Sequence, residues 1–332
     1  MTLLGGVSAA AGVLLVAVAN YDALVTTVAV GSGSRPLTAR VAMLVRRLLR
    51  RYPRLLPAGG PVVVLATIGV WIGLLWAGYT LLFLSADTAV TVATTDAPAS
   101  VVSRVYYAGY VLFTLGNGGY SPSVGVWEIV TVLATLNGLF VVTLAITYLV
   151  PVVSAVVERR QLAALVTALG DSVEEVVVSA WNGNDFSFLE QQLPTISQQI
   201  LLTAQRHLAY PVLHDFRSSE PHSASERTLA LLDDVVLVLD CGVEPAVRVS
   251  SPVIRTMRFA IDEARRLMPV GVNAQEPPPL PDLPHIAERG IPTGDPLEFA
   301  AAAERLADRR RHLAALVEAA AWRWPNRAGG ES

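Results

Sequence analysis

The stretch best placed to do chemistry is FTLGNGGYSP, residues 113–122, which packs Gly116, Gly118 and Gly119 into four positions. Glycine loses more backbone entropy on folding than any other residue, so such density in an ordered region needs a conformational reason. Ser103–Phe113 just before it has the length of about three helical turns, too short to cross a bilayer. A short helix running into glycine-rich extended chain is the pattern of a re-entrant pore loop. Non-helical backbone is tolerated at membrane depth only where it is buried in protein or lines a watery path. The chemistry indicated is transit across a membrane, not bond-making at a side chain.

Other candidates are weaker. His207, His214, Asp215 and His222 lie close in sequence, but histidine spacings of seven and eight match no zinc motif. They read as satisfied core or surface histidines, and no structural metal is expected. All 25 basic residues are arginine, so a phosphate loop of the Walker type, which needs a lysine, is excluded. Neither His-Glu-x-x-His nor Gly-x-Ser-x-Gly occurs, and the chain does not read as an enzyme. The single cysteine, Cys241, excludes an intrachain disulfide and reads as a buried thiol on a helix. Glu174–Glu175, Asp233–Asp234 and Arg309–Arg311 read as solvated helix faces. No cofactor is indicated, and a net charge of -3 gives no global pull toward nucleic acid.

The elements that must hold the glycine-rich segment are membrane spans. Only 16% of the residues are charged, well below a soluble average of roughly 25%, and the deficit sits in the first half. Three segments have the apolar length to span: Leu3 to about Gly31, Pro61–Leu84 and Ile129–Val157. VAVAN (16–20) offers an Ala-x-Ala cleavage site, but a positive n-region is missing and apolar sequence continues past it. Arg35, Arg40, Arg46, Arg47, Arg50, Arg51 and Arg54 fill the connection between the first two spans, whereas residues 85–128 carry Asp87, Asp96, Glu128 and only one base, Arg104. Positive connections stay in the cytoplasm, which puts the N-terminus outside and the C-terminal region inside. Val41, Val45, Leu48 and Leu49 can share one helical face with arginines on the other, as in a helix lying on an anionic inner leaflet. A voltage sensor is the competing reading, but the apolar complement is too short and Pro53 and Pro57 cut it off. Asp22, the one ionisable acid or base in a span, is expected to be an ion pair with the arginine-rich connection, with a functional role as the alternative.

Thr114-Leu115-Gly116-Asn117-Gly118 resembles the Thr-Val-Gly-Tyr-Gly selectivity filter of potassium channels. Pro122 falls where that family often has a proline beyond the filter, and Gly138 where its inner helix has a hinge. The resemblance covers about residues 60–155 and implies an outer helix, a pore helix over Ser103–Phe113 and an inner helix. The first span and basic helix are similar to those of bacterial proteins in this channel group. It further implies a homotetramer in the cell membrane, with the carbonyls of Thr114, Leu115, Gly116 and Asn117 and the Thr114 hydroxyl replacing the water around a monovalent cation, K+ in the family. Carbonyls that all point one way require alternating right- and left-handed backbone, which is nearly free for Gly116 and Gly118. Asn117 stands where the family has an aromatic ring, and Gly119 where it has an aspartate, so a poorly selective pore is the alternative. Leu139, Val142, Ile146, Thr147 and Val150 would line a cavity. Bending at Gly138 or Pro151 would gate it, with closure by dewetting.

The expected class is an all-α membrane protein: a span (1–34), a basic amphipathic cytoplasmic helix (35–58), a pore domain (59–155) and a helical cytoplasmic domain (156–332). The last holds a proline-rich linker at 273–296 that reads as extended over the surface. No nucleotide-binding pattern appears in it, and its regulator is unidentified by sequence. A membrane-anchored helical scaffold or sensor with a non-conducting loop is the reading from another class.

Overall fold

The computed structural model describes residues 3–28, 36–49, 51–52, 58–116, 118–216, 220, 224–268, 274 and 276–325. The chain divides into two compact units, Met1–Val152 and Val153–Ser332. The first holds α1 (Leu3–Val28), α2 (Pro36–Leu49), α3 (Gly59–Leu84), β1 (Val90–Val92), α4 (Val101–Leu112), β2 (Tyr120–Pro122) and the start of α5 (Val126–Thr167). Helices α1, α3 and α5 are long and apolar enough to cross a membrane. At 1.5 Å per residue the 42 residues of α5 run to about 63 Å, twice a hydrocarbon core. It continues unbroken through Pro151, so the proline does not end the helix there.

Helices α1 and α3 meet through small residues. A Cβ on Gly12 would lie 2.7 Å from the Gly78 carbonyl oxygen, and one on Gly78 would lie 3.0 Å from that of Gly12. Such a close backbone approach is how apolar helices associate when lipid competes for their side chains. The Ser8 hydroxyl adds a bond to the Leu81 carbonyl at 2.8 Å.

Asp22 is fully buried, but its partners among the described residues are not arginines. Its carboxylate accepts from Trp71 Nε1 at 2.9 Å, the Thr38 hydroxyl at 2.8 Å and the Leu37 amide at 3.1 Å. The carboxylate thus sits at the start of α2, where unpaired N–H groups and the helix dipole favour negative charge, while Arg35, Arg50 and Arg54 of the expected ion pair lie outside the described residues. Ala42 and Val45 of α2 are buried, while Leu44 and Leu48 on the rest of its apolar arc remain exposed. Arg46 and Arg47 are exposed on α2, as is Arg51 just beyond it; Arg50, Arg54 and Arg35 lie outside the described residues.

One antiparallel pair departs from the all-α expectation: β1 and β2 align Val90 with Pro122, Thr91 with Ser121 and Val92 with Tyr120. Runs of three residues are too short to leave an alternating pattern in sequence.

The second unit is helical: the end of α5, then α6 (Val173–Ala180), α7 (Ser187–Ala209), α8 (Ser225–Leu237), α9 (Ser251–Leu267), α10 (Leu283–Glu288), α11 (Pro296–Glu304) and α12 (Ala307–Ala319). Its core gathers Leu189, Leu193 and Ile196 of α7 with Leu232 and Val235 of α8 and Met257 and Ile261 of α9. Contrary to the solvated faces expected, Asp233, Asp234, Arg309 and Arg310 are buried. Arg310 grips Asp234 bidentately, Nε to Oδ1 at 2.9 Å and Nη2 to Oδ2 at 3.1 Å, and Trp324 Nε1 donates to the same carboxylate at 3.2 Å. Burial pushes the Asp234 carboxyl up to about 6, with Arg310 pulling the other way. The same guanidinium donates to the carbonyls of Pro278 and Pro279. The proline-rich segment is therefore anchored, and part of it forms α10. Cys241 is half-buried in a π-helical turn, Val238–Gly242.

His207 is buried, its Nδ1 donating to the Thr203 carbonyl at 3.2 Å and its ring 5.2 Å from that of His214. Burial first, then His214 and Arg159, lower its pKa to about 3. The unfolded imidazole titrates near 6.5, so between pH 6.5 and about 3 the unfolded chain takes up a proton that the folded chain refuses. Stability present above pH 6.5 is therefore lost on acidification, by about 1.4 kcal/mol per pH unit inside that window. His207→Gln is expected to flatten this loss between pH 7.5 and 5 in urea unfolding of the full chain. An unchanged pH slope would contradict the assignment.

Candidate functional site

The glycine-rich segment hangs between α4 and β2, and α4 is held from several directions. Ser100 caps its start, the hydroxyl accepting from the Ser103 amide at 3.1 Å. Arg104 is buried, with Nε on the Ala99 carbonyl at 3.0 Å and Nη1 on that of Ala86 at 3.2 Å. Its contact with the exposed Asp87, 3.3 Å, is a minor addition. Arg104 is thus an anchor for the first turn of α4. Trp76 Nε1 of α3 donates to the Val105 carbonyl at 3.0 Å, and its indole lies against Gly109.

Aromatic rings brace the rest. Tyr107 meets Phe83 edge-on at 5.1 Å, and its hydroxyl lies 3.2 Å from that of Thr131 on α5. Tyr106 stacks on Tyr110 at 6.2 Å and meets Tyr120 of β2 at 6.0 Å. The Tyr120 hydroxyl donates to Ser103 at 3.0 Å. The chain is therefore clamped on both sides of the glycines, by α4 before and by β2 after.

Between the clamps left-handed backbone recurs at every second position. Thr114 has φ +55°, Gly116 +70° and Gly118 +66°. The two glycines take the left-handed conformation their sequence suggests, and Thr114 joins them. For a β-branched residue a positive φ is an outlier costing roughly 1–3 kcal/mol, sustained only where the surroundings impose it. Here the Thr114 amide is bonded to the Val111 carbonyl at 3.2 Å and the Leu115 amide to that of Tyr110 at 3.0 Å. No sequence signal marks a threonine for this role; only its position two residues before the first left-handed glycine does. Thr114, Leu115, Gly116 and Gly118 are all exposed in the single chain, and Asn117 lies outside the described residues.

Helix α5 backs this segment. A Cβ on Gly138 would fall 2.1 Å from the Leu112 carbonyl oxygen, so the end of α4 rests directly on α5 at that point. Ala134, Val141, Ala145, Tyr148 and Val152 are buried. At 100° per residue Leu139, Val142, Ile146 and Val150 fall on the opposite side, and they are exposed, by 58% at Ile146 and Val150. Thr143 and Thr147 are exposed beside them. Leu133, Leu136 and Phe140 are exposed as well, so most of the circumference of α5 is uncovered apolar surface, open to lipid, another subunit or a dewettable path.

The histidine group falls elsewhere. His207 and His214 touch, and His222 lies outside the described residues. Among the described residues no set of three or more His, Cys, Asp or Glu side chains is placed to hold a metal ion.

Neither a protein-family model nor a solved structure matches the chain. A curated relative matches almost end to end: the uncharacterized membrane protein YdjJ of Bacillus subtilis (strain 168) is 31% identical over 321 residues, 95% of this chain and 94% of YdjJ. A match of that extent covers nearly the whole chain, and with three helices of spanning length it places the chain in the YdjJ family of membrane proteins.

Proposed function

We propose that the chain is one subunit of a homotetrameric cation channel, most simply a potassium channel. The observation that carries the reading is the alternation of left-handed backbone at Thr114, Gly116 and Gly118 between a short helix and a return strand. Left-handed backbone at every second residue is what a strand needs if its successive carbonyls are to point the same way toward a dehydrated cation. Exposed non-helical backbone is unsustainable in hydrocarbon unless other protein covers it or water reaches it. A ring of four chains around a central path supplies both. In this arrangement α3 is the outer helix, α4 the re-entrant pore helix and α5 the inner helix, with Leu139, Val142, Ile146, Thr147 and Val150 toward a cavity. The N-terminus lies outside and the second unit is cytoplasmic, and α2 rests on the anionic inner leaflet through Arg46 and Arg47, with Arg51 just beyond it. Gly138 and Pro151 are the places where α5 would flex.

A poorly selective monovalent pore is the second reading, favoured by Asn117 and Gly119, which replace the ring and the carboxylate that the potassium-channel motif carries there. Purified protein in a planar bilayer with KCl opposite NaCl separates them. A reversal potential at the potassium equilibrium value is expected, and one near zero would select the second reading. Reconstituted tetramers that pass no current, or a chain that is monomeric by native mass measurement, would make it a scaffold or sensor.

A further inference from the structure

Among the described residues of the first unit Asp22 is the one buried carboxylate, and conduction gives it no task. An ionisable group inside a span is costly and points by default to a function. Its two oxygens serve different elements. Oδ1 accepts from the Leu37 amide at 3.1 Å and lies 3.5 Å from that of Thr38. Oδ2 accepts from the Thr38 hydroxyl at 2.8 Å and from Trp71 Nε1 at 2.9 Å. The Thr26 hydroxyl, 3.0 Å from that of Thr38, completes the group. Hydrogen bonds to a carboxylate are the strong kind, and here one carboxylate ties together α1, the opening turn of α2 and α3.

That tie fixes how α2 is rolled about its own axis. At 100° per residue Thr38, Ala42 and Val45 share one face; Asp22 holds Thr38, and Ala42 and Val45 are buried. Arg40 and Arg47, seven residues apart, fall on the opposite side and are exposed. Leu44 and Leu48 lie exposed between the two faces. No acidic residue occurs from 36 to 58 to offset the arginines. At this roll α2 turns two leucines toward hydrocarbon and its arginines toward phosphate, the arrangement of a helix lying in an anionic membrane surface. A slip of one residue would rotate the set by 100° and lose it. We propose that Asp22 is a positioning residue for lipid recognition: by pinning the first turn of α2 to α1 and α3 it sets the preference of the protein for anionic phospholipid. The proposal rests on the reading of α2 as a leaflet-bound helix and is independent of conduction.

The test is thermal unfolding of the full-length protein in mixed detergent micelles carrying either phosphatidylglycerol or phosphatidylcholine. Wild type melts higher with phosphatidylglycerol by about 3 °C or more. The difference shrinks in about 0.5 M NaCl, and soluble glycerol phosphate does not reproduce it. Arg40→Gln combined with Arg47→Gln removes it. In Asp22→Asn an NH2 group replaces one oxygen, and whichever way the amide turns it faces an N–H donor, Leu37 on one side or Trp71 on the other. The lipid difference then falls by about half or more, on the loss of one side of the tie. Thr38→Val keeps the charge, removes one bond and moves the difference the same way by less; it decides the matter where Asp22→Asn does not fold. A merely structural Asp22 would lower the midpoint equally in both lipids. A lipid difference that Asp22→Asn leaves intact, or Thr38→Val where that variant does not fold, therefore overturns the proposal. Absence of any difference in wild type overturns it as well, by taking α2 off the leaflet.

Discussion

Gly116→Ala is expected to abolish current in planar bilayers while the protein still assembles as tetramers. The reason is conformational and not steric. At φ +70° a Cβ on Gly116 would have the Thr114 carbonyl oxygen, 4.0 Å away, as its nearest neighbour, so there is room for the methyl group. What alanine lacks is access to the left-handed region, where an L-residue is disfavoured by roughly 1–2 kcal/mol. In a ring of four chains that penalty falls on every strand at once. Relaxation of even one strand toward negative φ would swing a carbonyl out of the path and leave a dehydrated ion without a ligand. Thr114 already holds a strained φ of +55°, which leaves the segment little capacity to absorb a second misfit. The clamps at α4 and β2 lie outside the substituted residue, so folding and assembly should survive. Single-channel recording paired with native mass measurement checks both halves of the expectation. Wild-type currents through Gly116→Ala tetramers would mean that ions do not pass along this backbone.

The parts of the molecule that were legible in sequence are those where one residue type has one physical reason. Apolar runs of spanning length become α1, α3 and α5 because lipid leaves no alternative for an apolar backbone. Gly116 and Gly118 announce left-handed backbone because only glycine takes it freely. Polar side chains were less readable, since their role depends on which backbone groups a distant segment presents. Asp22 looked like a partner for arginine, and among the described residues the donors that reach it are Trp71, 49 residues away, and the opening turn of α2. Arg104 spends its guanidinium on carbonyls of Ala99 and Ala86, an arrangement that leaves no trace in charge pattern. Asp233–Asp234 and Arg309–Arg310 have the composition of a solvated surface, and only the packing of α8 against α12 turns them into buried pairs. Buried charge survives there because each carboxylate lies against an opposite charge, Asp233 2.6 Å from Arg309 and Asp234 2.9 Å from Arg310, a condition invisible until both are placed.

Gly138→Ala separates two roles that sequence alone assigns to one residue. As a hinge, Gly138 would tolerate a methyl group: the substitution would favour helix by up to about 1 kcal/mol and change gating while leaving stability intact or improved. As a packing glycine it would not. The new Cβ would sit 2.1 Å from the Leu112 carbonyl oxygen and 2.9 Å from its carbon, both backbone atoms that no rotamer change can move aside. Either α4 must lift from α5 or α5 must shift, and α4 is the element that sets the height of Thr114. Overpacking of this kind typically costs about 1–3 kcal/mol, and a backbone clash belongs at the upper end. The destabilising term therefore exceeds the helix-propensity gain. Gly73→Ala is the matched control, because a Cβ there meets nothing within 4 Å. Thermal unfolding in detergent should rank Gly73→Ala at or above wild type and Gly138→Ala well below it. If Gly138→Ala proved as stable as Gly73→Ala, the close approach of α4 to α5 would be refuted and the hinge would be the role left standing.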